Sequence, residues 1–525
     1  MLPAMINDRR MKTDVMTKTE SVIGINLPKN KKKVWYNVWG ILCSAFLIFT
    51  LLLHLSASWY IRHYGETGFD SVIFTLLSNI KGTSNELLIS FCLESALPMV
   101  LCGGALIYVL FIRKFKKTWY SKIRFWHKAA ISLFFSMLLL LHAGTKVDIF
   151  GYIQKMMIQT TIYEEHFIEP CNDNISFPDD KRNLIYIFLE SMETSYMSET
   201  EGGALPENVM PELTRLAKEN INFSQNDGIG GFLTPSGTGW TVAGMVSQTS
   251  GVPLKGSVGA LGNNEYGTEE FMPGVVSLSD ILSQNGYKQA LMVGSDASYA
   301  NRRVYFAQHN TDYIYDYITA KEDSIIDDDY YVWWGMEDEL LFEYAKDKIR
   351  QMAKEPEPFS FTLLTVDTHF PDGYVCDLCK NRFNEQYNNV ISCASHQVEK
   401  FVNWIKRQDF FENTTIVICG DHLSMDNQYI TRNVPDNYER RVYNCFINSA
   451  VTGENYKNRI FTSLDIFPTT LAAMGCDIKG DRLGLGTNLF SQEQTLAEKM
   501  GYEEFDRALL YSSNYYIKKF LINQE

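Results

Sequence analysis

Three stretches of this chain set acids and imidazoles directly behind apolar runs. Residues 184–189 (LIYIFL) lead into Glu190, residues 361–366 (FTLLTV) into Asp367-Thr368-His369, and residues 414–420 (TTIVICG) into Asp421-His422. A carboxylate at the end of a buried run is costly unless something pairs with it. Oxygen and imidazole donors gathered from three such ends suit a divalent cation, Mn²⁺, Mg²⁺ or Zn²⁺. Each residue alone has a plainer role, as a helix N-cap or half of a surface ion pair, and for His369 alone that role is preferred. Taken together they point to a metal. A fourth stretch, residues 234–254 (TPSGTGWTVAGMVSQTSGVPL), is rich in Gly, Ser and Thr and holds a helix-like run over 242–248. A hydroxyl at the head of such a helix sits where backbone N–H groups favour anions. Beside a metal it would ionise more readily and attack phosphorus. Thr241 also suits simple N-capping, and the two roles are compatible.

Positioning these groups falls to the surrounding pattern. Strand-like runs at 184–190, 289–294, 359–366, 414–420 and 442–448 alternate with helical patterns at 210–220, 277–285, 338–354 and 392–407. Unbroken apolar runs mark strands buried on both faces. Their alternation with helices predicts an α/β fold, a mostly parallel sheet flanked by helices. In open parallel sheets ligands gather beyond the carboxyl ends of the strands, which is where the acids stand.

The N-terminal part differs in kind. Residues 34–57 carry no formal charge and can span a bilayer, and shorter apolar stretches follow at 95–112 and 129–145. Lys29, Lys31, Lys32 and Lys33 precede the first. Arg113, Lys114, Lys116, Lys117, Lys122, Arg124 and Lys128 lie between the second and third, and residues 58–94 lack such a cluster. The positive-inside rule then predicts a cytoplasmic tail (1–33), a transmembrane region of about three helices (34–146), a linker (147–182) and an extracytoplasmic catalytic domain (183–525). The first span lies too far into the chain for a typical cleaved signal and is expected to stay as an anchor. Residues 65–93 are mixed and are expected along the outer membrane face.

With 46% hydrophobic and 21% charged residues the chain is not broadly disordered, and a net charge of -14 with no basic stripe in the second half argues against nucleic acid as a partner. Seven of the ten cysteines follow residue 146, and an exported compartment permits disulfides. Cys376-x-x-Cys379 with Cys393 has part of a zinc spacing, but no fourth ligand in a familiar zinc spacing completes it. A Cys379–Cys393 loop disulfide is expected, with Cys376 pairing with Cys171. Cys419, inside an apolar run, is expected to be core.

Taken in order, NLIYIFLES (183–191), the threonine-bearing loop, TVDTHFPDG (365–373), CGDHLSMDN (419–427) and SLDIFPTTLAAMG (463–475) resemble the alkaline phosphatase/sulfatase superfamily. More narrowly they are similar to its lipoteichoic acid synthase and phosphoglycerol transferase branch. GWTVAGMVSQTSGVPL (239–254), LTVDTHFPDG (364–373) and DRLGLG (481–486) look most like the transferases that decorate periplasmic glucans, and the likeness covers residues 180–490. The resemblance implies an alkaline phosphatase-like fold in which Glu190, Thr241, Asp421 and His422 bind a divalent metal, Mn²⁺ first, with Mg²⁺ or Zn²⁺ as alternatives. Thr241 would also be the nucleophile; the superfamily's spacing from nucleophile to glycine fits Thr241 and Gly251 better than Thr238. Arg302, in YANRR (299–303), resembles an arginine that grips the phosphoglycerol group, and His369 a histidine beside the same group.

The implied activity moves phosphoglycerol from phosphatidylglycerol to a glycan or glycolipid acceptor through a threonine-linked intermediate. It implies a bacterial inner-membrane enzyme, multi-pass, with its catalytic domain on the periplasmic side. The chain also departs from the branch. Ala300 stands where lipoteichoic acid synthases carry an aromatic residue, and their further pocket histidine has no match near 293–296. The Cys/Ser-x-Pro-x-Arg signature of sulfatases is absent at Thr241. Phosphoethanolamine transfer, phosphodiester hydrolysis and a non-catalytic membrane scaffold remain as alternatives.

Overall fold

Asn183–Leu189 forms a strand, β1, in which every residue after Asn183 is buried. It lies at the centre of a seven-stranded sheet seen in a computed structural model that describes residues 29–65, 69, 72–73, 85–109, 125–255, 270–453 and 456–523. The N-terminal tail through residue 28, the basic segment 110–124 and much of the 65–93 stretch lie outside the described residues.

The other strands are β2 (Gly231–Phe232), β3 (Lys288–Val293), β4 (Tyr313–Tyr315), β5 (Phe359–Leu364), β6 (Thr414–Gly420) and β7 (Val442–Ile447), in the spatial order β2-β7-β6-β1-β5-β3-β4. β6, β1, β5, β3 and β4 run parallel. β7 is antiparallel to β6, and β2 to β7. The sheet is thus mostly parallel, as the apolar runs predict. β2 and β4 are too short to show as a sequence pattern.

Alternate residues of the central strands feed two cores. Leu184, Tyr186 and Phe188 with Val417 and Cys419 pack on one face, against Val242, Ala243, Met245 and Val246 of the helix Thr241–Ser250. Ile185, Ile187 and Leu189 with Ile416 and Ile418 pack on the other, against Tyr387, Ile391, Val398 and Phe401 of the helix Gln386–Ile405. Each fully buried valine, leucine, isoleucine, methionine or phenylalanine among them contributes roughly 1.5–3 kcal/mol. That helix begins at Gln386, ahead of the 392–407 pattern that signals it. The stretch read as a linker, 147–182, carries the helices Ile149–Met156 and Ile162–His166 and a strand, Ile175–Ser176, paired with Asp477–Ile478. Ile162, Tyr163 and Ile175 are buried in the first core.

The chain divides into two units, residues 1–56 with 92–143, and residues 57–91 with 144–525. Among the described residues, three stretches of helix are long and apolar enough to cross a membrane: Val38–Tyr64, Leu87–Ile107 and Trp126–Lys146. Within the first unit, Ser132 Oγ donates to the Cys43 carbonyl at 3.4 Å and the His54 and His142 rings lie 5.0 Å apart.

The expected disulfides are not formed. All ten cysteines are free. Cys376 Sγ stands 3.6 Å from the sulfurs of both Cys379 and Cys393, beyond a bond of about 2.05 Å. Cys171 sits instead in the turn before Ile175, where its carbonyl accepts from Asn174 N.

Candidate active site

Parallel register brings the strand ends together. Leu189 pairs with Gly420 and Phe188 with Leu364, so Glu190 and Asp421 emerge at one level of the sheet. Asp421 N donates to the Leu189 carbonyl at 3.1 Å and Thr365 N to that of Phe188 at 3.1 Å.

Both carboxylates are almost wholly buried and each is held on one side. Ser191, in a left-handed conformation (φ 54°), donates its backbone N–H to Asp421 Oδ1 at 2.8 Å and its hydroxyl to Glu190 Oε1 at 2.7 Å. His422 N also donates to Asp421 Oδ1 at 2.8 Å. Asp421 Oδ2 is buried with no hydrogen-bond partner among the described residues and faces His422 Nε2 at 3.4 Å. His422 Nδ1 lies 2.7 Å from the Leu423 carbonyl. That contact makes Nδ1 the N–H and leaves the Nε2 lone pair for a metal. Glu190, Asp421 and His422 each offer one ligand atom, all within 4.8 Å of one another. An orphaned carboxylate oxygen, a second acid and an imidazole with a fixed tautomer are a donor set that fits a divalent cation.

The electrostatics agree. Burial, with the Glu190 charge added, pushes the Asp421 carboxyl up to about 8. Burial also raises Glu190, but the His369 and His422 imidazoles and the Ser191 hydrogen bond outweigh it and hold that carboxyl below its ordinary value. Burial disfavours charge on His422, yet Asp421 and Glu190 raise its pKa. Two acids and an imidazole competing for protons in a dry site are what a cation would relieve.

Thr241 is the first residue of the helix Thr241–Ser250; the N-cap is Trp240, whose side chain makes no capping bond. Simple N-capping is therefore not its role. Its Oγ1 lies 3.4 Å from Glu190 Oε2 and 3.3 Å from His422 Nε2. Thr238 is turned away, donating to the Pro235 carbonyl at 2.7 Å. The helix is pinned by Gln248, which accepts from Tyr186 Oη at 2.9 Å and donates to the carbonyls of Gly420 at 3.0 Å and Asp421 at 3.2 Å.

Arg302 is buried and opens the helix Arg302–Gln308 after two left-handed residues, Ala300 and Asn301. Its Nη2 donates to Ser295 Oγ and the Asp296 carbonyl, both at 2.9 Å, and its Nε to the Tyr299 carbonyl at 3.1 Å. His369 is clamped between Trp334 and Phe370, with ring centroids 4.6 and 4.7 Å away, and its Nδ1 lies 2.8 Å from the Phe370 carbonyl. Burial lowers its pKa, and the carbonyl contact makes Nδ1 the N–H. Asp367, grouped with these acids by its strand end, does not join them. Its Oδ1 accepts from Asp338 N at 3.1 Å, and Asp338 accepts from the backbone of Val366 and Asp367 at 2.7 and 3.2 Å. Burial pushes Asp338 up to about 7, and burial together with the Asp338 charge raises Asp367 well above the ordinary carboxylate range.

Glu190, Thr241, Arg302, His369 and His422 all line one cavity of about 240 Å³. Its apolar wall, not anticipated from sequence, includes Trp59, Tyr64, Leu87, Phe91, Trp240 and Phe370. Trp59 and Phe91 meet edge to face at 5.2 Å, as do Tyr64 and Phe370 at 5.4 Å.

Residues 182–476, more than half of the chain and including every candidate residue above, match the model of the sulfatase family. The chain belongs to the sulfatase family. Among curated relatives it is 29% identical over 409 residues to phosphoglycerol transferase I of Salmonella heidelberg, a match covering 75% of this chain and 50% of the relative. This sulfatase-family chain thus spans about half the length of the curated relatives it matches. Among solved structures it is similar to the lipooligosaccharide phosphoethanolamine transferase A of Neisseria meningitidis (TM-score 0.49, 12% identity, 82% of this chain and 84% of that one). It is also similar to the lipoteichoic acid synthase LtaP of Listeria monocytogenes (TM-score 0.46, 20% identity, 60% and 78%).

Proposed function

We propose that this chain is a membrane-anchored, metal-dependent phosphoglycerol transferase. It moves phosphoglycerol from phosphatidylglycerol to a glycan or glycolipid acceptor through a threonine-linked intermediate. The observation that carries the reading is Thr241 Oγ1 at 3.3–3.4 Å from His422 Nε2 and Glu190 Oε2, in a cavity that joins these polar groups to an apolar wall.

Glu190, Thr241, Asp421 and His422 would hold the cation, Mn²⁺ first among the candidates, which supplies charge neutralisation at the nonbridging oxygens and lowers the pKa of the threonine hydroxyl. Thr241 Oγ1 attacks phosphorus; the Thr241 O–P bond forms as the P–O bond to diacylglycerol breaks. The threonine gives up its proton and the diacylglycerol oxygen takes one up. His369, its Nδ1 held against the Phe370 carbonyl, suits that relay through its other ring nitrogen. The Arg302 guanidinium suits an oxygen of the phosphoglycerol group. An acceptor hydroxyl then attacks phosphorus, and Thr241 leaves and recovers its proton. Water in that step would make the enzyme a phosphodiesterase.

The apolar wall supports a lipid donor, since Trp59, Leu87 and Phe91 offer the glycerol-ester end of a phospholipid a dry surface beside the metal ligands. A non-catalytic scaffold would keep two buried acids and gain nothing from them. The inner-membrane anchor, with residues 1–33 inside and the catalytic domain on the periplasmic face, belongs to the same proposal: enzyme and donor share a surface.

The test uses purified full-length protein with headgroup-labelled phosphatidylglycerol or phosphatidylethanolamine in vesicles. Diacylglycerol released from phosphatidylglycerol, with phosphoglycerol found on Thr241 by mass spectrometry, supports the proposal. Release from phosphatidylethanolamine alone would move the enzyme to phosphoethanolamine transfer. Full turnover by Thr241→Ala would end the covalent scheme.

A further inference from the structure

Away from the catalytic cavity, three thiols meet. Cys376 and Cys379 lie in the irregular segment after β5, and Cys393 lies in the helix Gln386–Ile405. Cys376 Sγ is 3.6 Å from Cys379 Sγ and 3.6 Å from Cys393 Sγ, and all three sulfurs fall within 4.8 Å of one another. Cys376 and Cys393 are buried and Cys379 is half-buried. A zinc–thiolate bond of about 2.3 Å in tetrahedral geometry sets neighbouring sulfurs about 3.8 Å apart, close to both separations. A disulfide would engage two sulfurs at about 2.05 Å and leave the third over. Gln397 Nε2 approaches from one side, 3.7 Å from Cys376 Sγ and 3.5 Å from Cys393 Sγ, so the trio is lined rather than loose.

We propose that Cys376, Cys379 and Cys393 bind a zinc ion as a three-thiolate site, with water in the fourth position. Binding releases the thiol protons and leaves the sulfurs as thiolates. The site is independent of the catalytic metal, whose ligands include no sulfur. Its place in the fold gives it a structural consequence. The segment that begins with His369 and Phe370 runs on through Gly373 to Cys376 and Cys379, and is otherwise tied to the helix by contacts such as Gln386 Nε2 donating to the Gly373 carbonyl at 3.0 Å. A zinc ion there bolts the His369-bearing segment to the helix that supports the sheet.

Metal-stripped full-length protein, kept reduced in detergent, is titrated with Co²⁺ and, separately, its zinc content after loading is measured. Wild type should show thiolate-to-cobalt charge-transfer absorption. Cys393→Ser should lose that absorption and about one equivalent of zinc, and Glu190→Gln should keep it. Cys379→Ser, at the half-exposed position, makes the same test if Cys393→Ser fails to fold. The proposal is overturned if reduced wild type gives no thiolate absorption, or if protein prepared without reductant carries a disulfide between two of the three cysteines.

Discussion

A β-carbon placed on Gly244 would stand 2.2 Å from the carbonyl oxygen of Asp421. Helix and strand end meet there backbone to backbone, beside the Gln248 hydrogen bonds to the Gly420 and Asp421 carbonyls, and this contact sets how far Thr241 lies from the acids. Gly244→Ala must push the helix outward against backbone that cannot yield. A destabilisation of about 1–3 kcal/mol is expected, with lipid turnover falling at least tenfold. Thermal melts and turnover on the same sample check it; unchanged values for both would mean the helix position does not control the nucleophile.

Thr241→Ala should reduce transfer by about 10³-fold or more, as removal of a nucleophile does, without lowering stability, because its side chain caps nothing. Thr241→Ser keeps the hydroxyl and should retain part of the rate. Equal losses in the two variants would assign the effect to the methyl group instead.

Asp421→Asn removes the oxygen that lacks a hydrogen-bond partner and should weaken metal binding by more than about 100-fold. Metal content after dialysis is the measurement. Chelation of wild type should abolish turnover, and restoring it with Mn²⁺, Mg²⁺ or Zn²⁺ in turn ranks the ions.

The Asp338–Asp367 pair makes a pH prediction of definite sign. Both carboxyls have folded pKa values above the unfolded value of about 3.9, Asp338 at about 7 through burial. Their protonated forms favour the folded state at low pH, and that advantage is lost as pH rises through about 7. Asp367→Asn removes one of the two like charges, so its melting temperature should gain on wild type between pH 5 and pH 8. A constant difference over that range would show that the pair does not share a proton.

Phe91→Ala trims the apolar wall. Losing the burial of one aromatic ring is worth about 1.5–3 kcal/mol, so KM for a long-chain donor should rise by about tenfold or more. The value for a water-soluble headgroup analogue should stay put. A fall in kcat with unchanged KM would place Phe91 in the chemistry rather than in lipid binding.

Much of the site was legible because strands buried on both faces write themselves as unbroken apolar runs, and a charged residue at the end of such a run stands out. Glu190, Asp421 and His422 stood out as candidates that way, while the choice of Thr241 over Thr238 came from the resemblance to the superfamily's spacing and not from the helix signal. Asp367 shows the limit of that logic. It ends a strand like the others, but its partner Asp338 opens a helix, where an acid is ordinary. Ser191, which orients both buried acids through a left-handed turn, looks like any serine in the sequence. Trp59, Leu87 and Phe91 read as membrane residues, because nothing local says that they wall a cavity. The cysteine trio suggested bonds whose partners only the packed segment defines.

The matched ending of β1 and β6 means that Glu190 and Asp421 are aligned by the ladder of the sheet, while flanking helices and the segment after β5 hold Arg302, His369 and the cavity wall. Chemistry and selectivity therefore sit on separable parts of the molecule. For the transfer proposed above, rebuilding those flanking elements on this frame is a route to redirecting which alcohol receives the phosphoryl group while Thr241 stays as it is.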